Sequence, residues 1–231
     1  MRPPGIVVGV WRIAELISNN GSVEVYSAMH LSLPIAAAVK ILVAGDASRR
    51  SRFEFEESFL RHSESGAFPR LLGSGEYDGC PYIATEFLKP LALPTEDAEV
   101  ERFILAVARG IREMHLKGYA HGSLTPEAVM KRANGAPVIV KLGKLTGSQS
   151  DDIRALGELI RACYMGHPPF CWGRVVAKAT TPLAGERYSS VADFIYGVKT
   201  RAYLMRTTIA ILSFLAIAAA AVLVVFLAFH R

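Results

Sequence analysis

Cysteine is scarce in this 231-residue chain: Cys80, Cys163 and Cys171 form an odd set with no C-x-x-C pair. That argues against a disulfide framework or a structural zinc site and predicts reduced thiols in a cytoplasmic domain. A signal peptide is not expected either, because Arg2 is followed by two prolines and the apolar run Ile6 to Trp11 is too short for its core. Clustered basic patches are missing as well. The formal charge is +5, yet the cations are scattered or sit beside the C-terminal apolar run, so nucleic acid is not expected as a partner.

Charge itself is absent from Ile209 to Phe229, twenty-one residues that also contain no glycine or proline. At ~1.5 Å per residue such a helix would span roughly the ~30 Å hydrocarbon core of a bilayer. Lys199, Arg201 and Arg206 precede it and only His230 and Arg231 follow. The expectation is therefore a single-pass membrane protein with its N-terminal domain in the cytoplasm.

The remainder reads as a mixed domain. Three short strands are predicted within Trp11 to Leu42, separated by S-N-N-G-S and H-L-S-L-P. A helix-like stretch follows over 48–62, with Phe53, Phe59 and Leu60 turning one face inward. Two strands joined at Asp78-Gly79 occupy Phe68 to Leu88, and Glu99 to Lys117 is an amphipathic helix stopped by Gly118.

The stretch Tyr119 to Leu145 reads Y-A-H-G-S-L-T-P-E-A-V-M-K-R-A-N-G-A-P-V-I-V-K-L-G-K-L. It resembles the catalytic loop and metal-binding motif of eukaryotic-like serine/threonine protein kinases, H-R-D-L-K-P-E-N followed by D-F-G. The resemblance covers about Ile13 to Lys199 and implies an α+β, two-lobed kinase-like fold with an abbreviated C-lobe, to which the apolar run adds one transmembrane helix. The implied divisions are an N-lobe and hinge over 1–88, a truncated C-lobe over 89–200, a basic juxtamembrane segment over 201–208, the span over 209–229 and a tail at 230–231.

Aligned on His121, Leu124, Pro126 and Glu127, the family's catalytic aspartate falls on Ser123, its lysine on Thr125, its metal-binding asparagine on Ala128 and its arginine on Gly122. The D-F-G slot falls on Lys144, Leu145 and Thr146, a cation where the family holds magnesium. The family's three loop glycines fall on Ser18, Asn20 and Val23. Only seven residues separate Lys144 from Asp152, where the family has its activation loop and substrate shelf. Metal ligands are therefore not expected.

By the same resemblance Lys40 is the phosphate-contacting lysine, with Glu56 or else Glu57 as its partner. Thr85 is the gatekeeper, Glu86 to Leu88 the hinge, and Val25, Ala38 and Met130 flank an adenine. His121, Leu60 and Leu145 would form a packed column. Asp152 would brace the catalytic loop, cap its helix, or do both, and Arg187 lacks its usual glutamate partner. These losses lead to the expectation of a membrane-anchored pseudokinase, not an enzyme, that acts in signalling as a scaffolding or regulatory module for an unidentified protein partner. No cofactor would be required, and any ATP would bind weakly and without magnesium. The alternative is an atypical, ATP-binding serine/threonine kinase with relocated groups, in which Lys40 and a carboxylate, Glu127 or Asp152, hold metal and nucleotide.

Overall fold

The computed structural model describes residues 2–43, 45, 47–142, 147–201, 211, 214–217 and 219–220. Its N-terminal half is a six-stranded antiparallel sheet in the order β1-β2-β3-β4-β6-β5, built from Val7–Val8, Trp11–Asn19, Val23–His30, Ala36–Leu42, Leu71–Tyr77 (β5) and Cys80–Glu86 (β6). Period-two alternation sorts the two faces. Tyr26, Ala28, Ala37, Val39 and Ile41 pack on the outer face with Val8, Trp11 and Ile13. Their half-buried neighbours Val25, Ala38 and Lys40 turn the other way. The short strand β1, unanticipated from the sequence, pairs with the start of β2 and adds Val8 to this outer core.

The S-N-N-G-S segment is a side-chain-stabilised hairpin turn. Asn19 Oδ1 accepts the Gly21 amide at 2.7 Å, and Asn20 Oδ1 accepts those of Ser22 and Val23 at 3.1 and 2.8 Å. Gly21 sits at φ +81°, a left-handed position that a side chain would strain.

Helix α1, Ala47–Arg61, crosses to the second half of the molecule, where Phe59 meets Phe68 edge-on at 4.9 Å. That half is helical: α2 (Asp97–Leu116), α3 (Gln149–Cys163), α4 (Phe170–Thr180) and a helical stretch at 191–201. A three-stranded sheet, β7-β8-β9 (Lys89–Pro90, Val129–Lys131, Pro137–Ile139), carries the connection between the halves. The predicted stripe of α2, Val100, Phe103, Ile104, Val107, Ile111 and Met114, is buried against Ile153, Leu156, Ile160 and Trp172.

Helix α3 begins earlier than the sequence suggested. Its N-cap is Ser148, whose hydroxyl accepts the Asp151 amide while the Asp151 carboxylate returns to the Ser148 amide. Asp152 is therefore not the cap, because that role goes to the residue whose oxygen faces the first free amides. Among the described residues no helix is long and apolar enough to cross a membrane, and most of the run 209–229 lies outside them.

Candidate active site

Strand alternation on β4 turns Lys40 toward the gap between the halves, and the buried face of α1 sets Glu56 opposite it. Lys40 Nζ lies 2.7 and 2.5 Å from the two Glu56 oxygens. Glu57, one residue and about 100° further round the helix, looks elsewhere. It accepts from Ser74 Oγ and from Arg61 at 2.7 Å each, and these bonds hold its carboxyl below the usual range.

A cleft of about 640 Å³ opens beside this pair, between the β2–β3 turn and the catalytic loop. Ser18, Asn20, Ser22, Val23 and Val25 form its roof, and Ser123, Thr125, Lys141 and Leu142 its floor. Arg49, Arg52 and Phe53 of α1 close one side. Four cations, Lys40, Arg49, Arg52 and Lys141, face it against the one carboxylate of Glu56, counting the described lining residues. Kinase loops cradle phosphate with backbone amides, but here the Gly21, Ser22 and Val23 amides are already taken by asparagine side chains. Side-chain cations are what this cleft offers an anion. Lys141 adopts φ +61°, an uncommon conformation for a residue with a side chain.

The residues assigned to the base pocket divide. Val25 lines the cleft; Ala38, Thr85, Glu86, Leu88 and Met130 are outside its lining. Ala38 and Thr85 are paired across β4 and β6, Met130 lies on β8, and Leu88 is buried. Glu86 is committed to structure, with Arg132 Nη2 at 2.7 Å and the Arg70 amide at 2.9 Å. Burial works against its charge, but those bonds prevail and keep its carboxyl acidic.

The catalytic loop hangs from Asp152. Its Oδ2 accepts the His121 amide and its Oδ1 the Gly122 amide, each at 2.8 Å, and His115 Nε2 lies 2.8 Å from Oδ2. This carboxylate is buried, and both of its oxygens are engaged in holding the loop. His121 is buried, accepts the Ser123 amide at Nδ1 and donates from Nε2 to the Val140 carbonyl. Burial lowers its pKa, so the ring is neutral. Gly122 sits at φ +70°, and a side chain on Gly147 would meet Gly122 Cα at 2.7 Å, so the shortened link needs glycine where it passes the loop.

Ser123 and Thr125 reach the cleft, whereas Ala128 is fully buried in the 3-10 turn Pro126–Ala128. Exposed Glu127 is held ionised first by the Thr125 hydroxyl, with Lys141 adding attraction. Lys144 and Leu145 lie outside the described residues. Among the described residues no group of three or more His, Cys, Asp or Glu side chains is placed to hold a metal.

Sequence reasoning missed Arg49, Arg52 and Lys141. The two arginines were findable: they precede Glu56 by seven and four residues, the spacing of one helix face. It also left Arg187 without a partner. Arg187 is buried and binds the Asp151 carboxylate at 3.3 Å together with the Thr181, Ser150 and Pro182 carbonyls.

No protein-family model matches the chain. It is 23% identical over 172 residues to a probable serine/threonine-protein kinase, pknA2, of Bifidobacterium longum, covering 68% of this chain and 23% of that protein. It is 30% identical over 161 residues to the DNA damage-responsive serine/threonine-protein kinase RqkA of Deinococcus radiodurans, covering 64% of this chain and 24% of that protein. The chain thus spans about a quarter of the length of these curated relatives.

Among solved structures, the Mycobacterium tuberculosis PknI kinase domain superposes with a TM-score of 0.68 at 18% identity, covering 87% of this chain and 100% of that one. The apo form of PpkA-294 gives 0.71 at 16% identity over 86% and 99%. The sequence relatives overturn the expectation that the chain is not an enzyme: they are named serine/threonine protein kinases. The physical reason is that matching residues position by position detects a vacated place in a motif, while catalysis depends on which groups converge in space. The chain has a protein kinase-like fold of mixed α and β structure and is similar in sequence to bacterial serine/threonine protein kinases.

Proposed function

We propose that this chain is an atypical, ATP-binding serine/threonine kinase domain with relocated groups, held at the cytoplasmic face of a membrane by the span 209–229 and working on a protein partner. The observation that carries the reading is the cationic cleft around the Lys40–Glu56 pair. Kinases offset triphosphate charge with divalent ions held by an aspartate and an asparagine. Here the asparagine place is the buried Ala128, while Lys40, Arg49, Arg52 and Lys141 supply positive charge directly. Fixed cations that face developing phosphoryl charge stabilise it as a metal does. Nucleotide therefore binds weakly and without magnesium.

Glu127 is the relocated carboxylate in this reading. It is exposed and held ionised by the neighbouring Thr125, which lines the cleft, whereas Asp152 is consumed by the loop amides. Glu127 would accept the proton of the hydroxyl that receives phosphate.

The test pairs thermal shift with phosphate transfer on the full chain in detergent. ATP should raise the melting temperature equally with magnesium and with a chelator, and Lys40→Met should remove the shift. Radiolabel transfer should fall with Lys40→Met and with Glu127→Gln. A shift that appears only with magnesium overturns the metal-free site. Transfer untouched by Glu127→Gln overturns the assignment of the carboxylate.

A further inference from the structure

We infer that the loop between α3 and α4 is a lipid-docking element, with Met165 and Phe170 inserted into the bilayer interface next to the point where the chain leaves the domain. The inference rests on the reading of 209–229 as a membrane span. Met165 is 86% exposed and Phe170 90%, the highest values among the described large apolar side chains. Single exposed apolar residues need no explanation, but the position of this pair does.

Both feet of the loop are fastened to Asp97, which pairs with Arg201, the last residue described before the apolar run. Arg201 is itself buried, its guanidinium 3.7 Å from the centre of the Trp172 ring and 3.1 Å from Asp97 Oδ2. On one side of the loop, Tyr164 donates to Asp97 Oδ1 at 2.9 Å; on the other, Trp172 Nε1 donates to the same oxygen at 2.6 Å. Cys171 Sγ lies 3.5 Å from Arg201 Nη1. The loop therefore packs beside Arg201, eight positions before the start of 209–229.

Reach supports lipid as the occupant. Seven residues separate Arg201 from Ile209. They cover roughly 12 Å if helical and at most about 28 Å if extended, and the headgroup layer itself takes up several ångströms of that distance. The domain is thereby held close against the membrane with this side facing it. The loop is also pre-shaped. Pro168 and Pro169 fix two backbone angles, and the Gly166 and His167 amides are bonded back to the Arg161 and Tyr164 carbonyls at 2.9 Å each. Little freedom remains to be lost on docking. Exposed Arg174, one turn into α4, favours anionic headgroups.

The experiment uses the full chain in vesicles of phosphatidylcholine and phosphatidylglycerol, comparing Phe170→Trp with the parent. Phe170 is exposed enough to accept tryptophan without refolding. Lipids brominated near the top of the acyl chain should quench the added emission, which should also be blue-shifted, and Phe170→Glu should raise deuterium uptake of the loop in vesicles. Added emission at the wavelength of water-exposed tryptophan, equal in both lipids, overturns the inference. So does blue-shifted but unquenched emission, the result for burial against a second copy or another protein. Carbonate extraction separates the two readings: a chain released from the vesicles overturns the span and the docking together, while one retained but unquenched overturns the docking alone.

Discussion

At the scale of single residues, His121 carries the clearest pH dependence. Its ring is buried with both nitrogens bonded, Nδ1 as acceptor and Nε2 as donor, an arrangement that only the neutral form satisfies. Its folded pKa is lowered by burial, so the unfolded chain takes up a proton near the ordinary histidine pKa of about 6.5 while the folded chain does not. The stability it contributes is fully present above about pH 6.5 and is lost as pH falls from there through the lower folded value. Urea midpoints should decline between about pH 6.5 and 5 in the parent and more gently in His121→Phe. Equal slopes would show that another group governs the acid limb. The choice between Glu56 and Glu57 also belongs to this scale. Both suit the sequence spacing, and the decision comes from Ser74 on β5, which takes Glu57 and leaves Glu56 to Lys40.

At the scale of elements, α3 and the catalytic loop form one unit through Asp152. Removing its carboxylate strands the buried His121 amide, the Gly122 amide and the His115 ring. An unsatisfied buried donor costs about 1–3 kcal/mol, so Asp152→Ala should destabilise the domain by about 3 kcal/mol or more. Chemical denaturation gives the value, and a loss under about 1 kcal/mol would mean that water replaces the carboxylate. The periodic elements were legible. The α2 stripe, the buried face of α1 and the strand alternation follow from repeats of 3.6 and 2 that the chain carries locally. Strand β1 was not, because two residues show no period. Nor was the start of α3, because the capping box at Ser148 lies in a segment that the kinase alignment treated as a remnant of the activation loop.

At the scale of the whole molecule, the expected arrangement is a domain bound tightly to one membrane face. Arg201 was counted among the cations flanking the span, yet it is buried and paired with Asp97 and Glu101. Orientation by the positive-inside rule then depends on Lys199 and Arg206 against Arg231. The full chain should resist carbonate extraction, and its domain should be protected from protease added outside intact cells; cleavage of the domain there would reverse the topology.

The sequence by itself determined the order of β2 to β6 with α1 and α2, the Lys40 position, the catalytic-loop frame from His121 to Glu127 and the apolar run. Each is written in neighbours close along the chain, where residue type and spacing act directly. Only the tertiary structure decided that Arg49, Arg52 and Lys141 converge on one cleft, that Asp151 partners Arg187, and that Arg201 is an interior residue. These pairings join segments up to about a hundred residues apart, as Arg201 and Asp97 are. Their geometry is set by how the packed faces of α1, α2 and α3 bring those segments together, and no local pattern records it.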